Sequence, residues 1–209
     1  MAPHEPANES IYDGFVSRHL NRTFSKPLAR LLCHTPVTPN QVSVASLGVA
    51  LASFLCFVSH SPIAGGLLAQ MASILDGVDG DLARLKNMTS AFGGFMDAIL
   101  DRYADAVIYL GLIIWTAGDS NSVEVWITGF WALVGTFVVT YTRARIEQAP
   151  RDLFDRGLAS VASRDIRLFV VLIGALAGEG FVTLVVLAGL TNGVGVLRLM
   201  YARRILKGR

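Results

Sequence analysis

Apolar stretches recur along this chain at 41–58, 63–75, 90–117, 125–141, 168–176 and 181–200. Short turns separate them, such as His60-Ser61-Pro62, 118–124 and Ala177-Gly178-Glu179-Gly180. Only 16% of the residues are charged, against ~25% in soluble domains. Mean hydropathy is +0.51. This pattern predicts an all-α polytopic membrane protein with six transmembrane helices, and leaves no room for a large soluble domain. The second helix is expected to run on past its apolar part to Lys86.

The basic residues give an orientation. The turns after the first, third and fifth stretches hold no Lys or Arg. All 18 lie in the amino-terminal segment, the connections after the second and fourth stretches with their edges, the start of the third stretch, and the carboxyl end. This asymmetry predicts both termini on the cytoplasmic side. Residues 1–10 read as a disordered tail, and 35–209 as the six-helix domain. Between them, 11–34 reads as a cytoplasmic amphipathic helix lying on anionic lipid. Phe15, Leu20, Phe24, Leu28, Leu31 and Leu32 share one face and Arg18, Arg22, Lys26 and Arg30 another. The first thirty residues lack the apolar run of a cleavable signal. A net charge of +2 carries no argument for a nucleic-acid partner. Cys33 and Cys56 read as plain thiols, and His4, His19, His34 and His60 do not cluster as a metal site would. Trp115, Trp126 and Trp131 fall where interfacial anchors belong.

Six aspartates between 76 and 105 break the apolar pattern. On helices, Asp76 and Asp79 share a face, and so do Asp97, Asp101 and Asp105. Unit charges ~4 Å apart repel by about 4 kcal/mol at an effective dielectric near 20. Two such faces on neighbouring helices therefore need a cation between them or carboxylates that stay partly protonated. Oxygen-only ligands suit a hard divalent ion. Gly77, Gly80, Gly93 and Gly94 permit close approach of a helix or a bulky ligand, and Arg84 is placed to bind phosphate or balance the acids. Carboxylates, glycines and an arginine facing a wet cavity suit phosphoryl transfer. A cation transporter or channel is the alternative. It needs polar groups across the whole bilayer, whereas 107–115 and 137–140 are largely apolar.

The spacing D-x2-D-G-x2-A-R-x8-G-x3-D-x3-D is met by Asp76, Asp79, Gly80, Ala83, Arg84, Gly93, Asp97 and Asp101. In this the chain resembles the CDP-alcohol phosphotransferases. The resemblance implies transfer of a substituted phosphate from a CDP-alcohol donor to an acceptor hydroxyl, with release of CMP. It implies Asp76, Asp79, Asp97 and Asp101 as ligands of Mg²⁺ or Mn²⁺, two ions in all, and Asp101 as general base. The cytidine diphosphate moiety would meet Asn40, Asp76, Asp79, Gly80, Ala83, Arg84 and Gly93. A homodimer is implied as well. Asp101-Arg102-Tyr103-Ala104-Asp105 and 13–22 resemble the branch that handles inositol phosphates. Glycerol phosphate, serine and inositol stand as other acceptors. For an acceptor that carries phosphate, Arg143, Arg145, Arg164 and Arg167 are the candidate cations, with binding of lipid headgroups as their other role. Asp81 and Asp105 lie outside the motif and read as surface or supporting charges rather than ligands.

Overall fold

The structure is a computed structural model that describes residues 21–118, 122–147 and 162–207. The described residues form seven α-helices and no strand: α1 (Arg22–Cys33), α2 (Pro39–Val58), α3 (Pro62–Leu85), α4 (Ala91–Ala117), α5 (Val123–Glu147), α6 (Arg164–Ala177) and α7 (Gly180–Lys207). The expected disordered tail and residues 11–20 of the expected interfacial helix lie outside the described residues.

Local chemistry sets the helix starts. Thr38 caps α2 in a reciprocal box, its hydroxyl accepting from the Gln41 amide at 3.3 Å and the Gln41 side chain accepting from the Thr38 amide at 2.9 Å. Proline opens both α2 and α3, where its missing N–H costs nothing. Ser90 caps α4 by accepting from the Gly93 amide at 3.0 Å. After α3, Asn87 takes a left-handed conformation with φ 54°, which asparagine tolerates better than most residues. Lys86 then donates to the carbonyls of Thr35 and Val37 at 2.6 and 2.7 Å. The link between α1 and α2 is thereby tied to the end of α3, beside the acidic residues.

α2 packs on α3 and α4, α6 packs on α3, and α7 packs on α5. Phe57, Ala69, Tyr109, Leu112, Leu168, Val171, Leu184 and Leu187 build the main core. A second cluster of Ala29, Val42, Val78 and Leu82 seats α1 on α2 and α3. α1 turns Ser25 and Ala29 inward, while Phe24 and Leu31 stay exposed. Small residues let helices cross closely. A Cβ on Gly174 of α6 would stand 1.6 Å from Thr183 Oγ1 and 2.7 Å from Thr183 Cβ of α7. Threonine is branched at Cβ and cannot swing clear. Gly174→Ala is expected to destabilise the protein by about 1–3 kcal/mol, read as a lower melting temperature in detergent. An unchanged melt removes this crossing as a close contact.

Three of the described helices are long and apolar enough to cross a membrane: Pro39–Val58, Val123–Arg145 and Gly180–Arg204. Only 33% of each apolar window is buried inside the chain, so most of that surface faces outward. Val44, Leu51, Leu55, Phe130, Trp131, Val185 and Leu199 are among the exposed side chains. Water makes such exposure costly and lipid does not. The other helices miss the test for physical reasons. α3 and α4 carry the aspartates, and the 14 residues of α6 rise about 21 Å of the ~30 Å hydrocarbon thickness.

Candidate active site

The carboxyl-terminal half of α3 and the amino-terminal half of α4 bring the acids together. One carboxylate oxygen each from Asp76, Asp97 and Asp101 lies within 4.8 Å of the others. Asp79 stands outside that trio. It is buried and accepts a short hydrogen bond from the Ser43 hydroxyl of α2. Three carboxylate oxygens this close, with a fourth acid adjoining, make a donor set that fits a hard divalent ion and no soft one.

Cavities border the residues of the trio: one of about 380 Å³ beside Asp76, Gly77, Asp97, Arg143 and Asp165, and two smaller ones. The first of the smaller cavities, of about 190 Å³, is bordered by Asn40, Ser43, Asp79, Gly80, Ala83, Arg84, Gly93 and Asp97, together with Met88, Thr89 and Ser90. Every residue that the motif assigned to the nucleotide except Asp76 therefore meets in one place. Gly93 is needed there. A Cβ on it would lie 3.0 Å from Ser90 Oγ and 3.3 Å from Asn40 Oδ1, crowding both the cap and the cavity wall. Arg84 reaches Asp81 Oδ1 at 2.8 Å, and Asp81 also accepts from Ser25 of α1 at 3.3 Å. Asp81 thus supports Arg84 and ties α1 to α3.

The second of the smaller cavities, of about 160 Å³, is bordered by Asp76, Asp101, Arg102, Arg143, Ser163, Arg164, Asp165 and Arg167. Arg164 Nη1 lies 2.7 Å from Asp76 Oδ1 and 2.8 Å from Asp101 Oδ1. Arg164 Nε donates to Asp105 Oδ1 at 3.0 Å. Arg167 donates to Asp105 Oδ2 at 2.9 Å and to the Ala162 carbonyl at 2.7 Å. Asp105 is 1% exposed, so the alternative of a surface charge is corrected here: it is a buried anchor for two arginines from α6. Arg102 Nη2 reaches Asp101 Oδ2 at 3.2 Å. Among the described residues, Arg102 Nε, Ser163 Oγ, Arg164 Nη1 and Nη2, and Arg167 Nε are buried without a hydrogen-bond partner. Buried polar atoms in that state are rare in folded proteins, and these five sit on residues bordering one small cavity.

Three of the four arginines named from the sequence border this cavity, and Arg145 does not. Its guanidinium lies over the Tyr141 ring, 5.3 Å from the centroid, and donates to the Tyr141 hydroxyl at 3.0 and 3.1 Å. Sequence reasoning missed Ser43, Arg102 and Ser163. It also missed a polar network in which Asn21 donates to Ser73 at 2.9 Å and to Asp165, while Gln70 donates to Asn21 at 2.7 Å. The one available signal was polarity inside apolar stretches, as at Gln70 and Ser73.

Carboxylates gathered beside polar cavities, in a bundle whose apolar helices face outward, describe a membrane protein with a site suited to phosphoryl chemistry. The chain belongs to the CDP-alcohol phosphatidyltransferase family, whose sequence profile matches residues 36–191. It is 40% identical over 192 residues to a bifunctional IPC transferase and DIPP synthase of Rubrobacter xylanophilus, covering 92% of this chain and 43% of that one. It is 31% identical over 206 residues to an archaetidylinositol phosphate synthase of Methanothermobacter thermautotrophicus, covering 96% and 98% of the two chains. The chain spans less than half the length of the bifunctional relatives it matches. Among solved structures, it resembles Mycobacterium tuberculosis phosphatidylinositol phosphate synthase with CDP-DAG bound, at 26% identity and TM-score 0.70, covering 86% of this chain and 94% of the other. It also resembles the same enzyme in complex with manganese and citrate, at 26% identity and TM-score 0.66, covering 85% and 88%.

Proposed function

We propose that this protein transfers a substituted phosphate from a CDP-alcohol, CDP-diacylglycerol or CDP-inositol, to a hydroxyl of an inositol phosphate, releasing CMP. One observation carries the acceptor assignment. Arg102, Arg143, Arg164 and Arg167 border a single cavity next to the acidic trio, and Arg102, Arg164 and Arg167 each carry a buried nitrogen without a hydrogen-bond partner among the described residues. A free polyol offers only neutral acceptors to those N–H groups, whereas a phosphate dianion supplies several charged ones. An archaetidylinositol phosphate synthase and a phosphatidylinositol phosphate synthase among the relatives support the same choice.

Asp76, Asp79, Asp97 and Asp101 would hold Mg²⁺ or Mn²⁺, two ions in all. A divalent ion there neutralises phosphate oxygens and polarises the pyrophosphate toward attack. The chain's own groups do the rest. Asn40, Gly80, Ala83, Arg84 and Gly93 seat the cytidine diphosphate moiety. The arginines orient the acceptor phosphate so that one hydroxyl faces the donor. Asp101 removes that hydroxyl's proton as the new phosphate ester bond forms and CMP departs. The bilayer arrangement is six spans with both termini and the site on the cytoplasmic side, supported by the distribution of Lys and Arg. The assembly is a homodimer among membrane lipids.

The test is a CMP-release screen with purified protein and Mn²⁺, pairing each donor with inositol phosphate, inositol, glycerol phosphate and serine. Inositol phosphate is expected to react at least about tenfold faster than inositol, since charge-assisted hydrogen bonds contribute about 1.5–3 kcal/mol. Equal rates with the two overturn the acceptor assignment.

A further inference from the structure

Arg164 serves two sites at once. Its side chain is 10% exposed, and its two ends are held differently. Nε donates to Asp105 Oδ1 at 3.0 Å in a formed hydrogen bond. Asp105 is itself fixed through Arg167, whose other nitrogen donates to the Ala162 carbonyl. Nη1 lies 2.7 and 2.8 Å from Asp76 and Asp101, yet no N–H of Nη1 or Nη2 is aligned for a hydrogen bond with any described residue. The inner end is therefore anchored by geometry, and the outer end is held by charge alone. Asp76 and Asp101 are two of the three carboxylates suited to a divalent ion. The same guanidinium also borders the arginine-rich cavity.

We propose that Arg164 couples the two halves of the site: it is the counter-charge of Asp76 and Asp101 while they hold no ion, and binds the acceptor's phosphate once they do. This rests on the ion and acceptor assignments made above. An ion on the trio places like charge against the guanidinium and removes its reason to stay. Pivoting on its Nε bond to Asp105, the fork turns to the nearest anion, which is the acceptor phosphate. The movement also uncovers Asp101 Oδ1, on the residue proposed as the general base. Asp105 is then the positioning residue of this device, because it holds the pivot and touches neither substrate.

Two ligands that bias one two-state element must raise each other's affinity by the same factor. The experiment titrates Mn²⁺ into the full chain in lipid nanodiscs, reading free Mn²⁺ by electron paramagnetic resonance, with and without sulfate as a phosphate-like probe. Sulfate is expected to tighten wild-type Mn²⁺ binding by at least about fivefold, and Mn²⁺ to tighten sulfate binding equally. Arg164→Gln is expected to bind Mn²⁺ without sulfate at least about fivefold tighter than wild type and to lose the sulfate effect. Should that variant fail to fold, the wild-type titrations still decide. Mn²⁺ affinity indifferent to sulfate overturns the coupling and leaves the ion site standing. A sulfate effect that survives in Arg164→Gln, or Mn²⁺ affinity no tighter than wild type in that variant, overturns the role of Arg164. No Mn²⁺ binding by wild type overturns both the coupling and the ion site.

Discussion

Asp101→Asn is expected to lower CMP release by about a hundred- to ten-thousand-fold. Asparagine matches the shape of the side chain but cannot accept the proton of an attacking hydroxyl. Asp101 occupies the junction of the site. Oδ1 faces Arg164 at 2.8 Å and Oδ2 faces Arg102 at 3.2 Å, and the side chain is 16% exposed, so a substrate reaches it. The cavity proposed for the nucleotide is built from other residues, so CMP should bind the variant within about threefold of wild type, by the general separation of transition-state from ground-state contacts. Turnover at the wild-type rate would falsify the general-base assignment. Loss of CMP binding would make Asp101 part of the nucleotide seat instead.

Asp105→Ala is expected to produce the largest loss of stability, about 3–5 kcal/mol, because it strips the shared partner from buried cations. Asp105 accepts from Arg164 and Arg167 at 3.0 and 2.9 Å, and Arg167 is 2% exposed. Without the carboxylate, two guanidinium groups of α6 lose the anionic partner that α4 offers them. Asp105→Asn keeps one acceptor and the volume, and should cost less. Thermal melts of the two variants in the same detergent check this order. Equal stability of Asp105→Ala and wild type would mean that Asp76 and Asp101 suffice to hold the arginines.

The helices were legible because their signals are local. Thr38 and Ser90 cap α2 and α4, and the prolines at 39 and 62 open α2 and α3, all within a few residues of where the apolar stretches begin. Apolar length gave α2, α5 and α7 as membrane-crossing candidates. α3 and α4 were readable as helices even though their acids disqualify them by composition. Arg145 shows where local reasoning stops. It differs from Arg143 by two positions, and on a helix that turns it to another face, onto Tyr141 and away from the cavity.

The sequence by itself determined the chemistry. Eight residues at fixed gaps name the acids, the glycines and the arginine of the proposed nucleotide-and-metal site, since ligand types and helical spacing are written along one or two adjoining helices. Only the tertiary structure decided which cations answer those acids. Asp105 and its partners Arg164 and Arg167 are separated by 59 and 62 positions, and no periodicity reports a meeting across such a distance. It follows from how α6 packs against its neighbours around a core of Tyr109, Leu112, Leu168 and Val171, where a buried charge is costly unless it is paired and hydrogen-bonded.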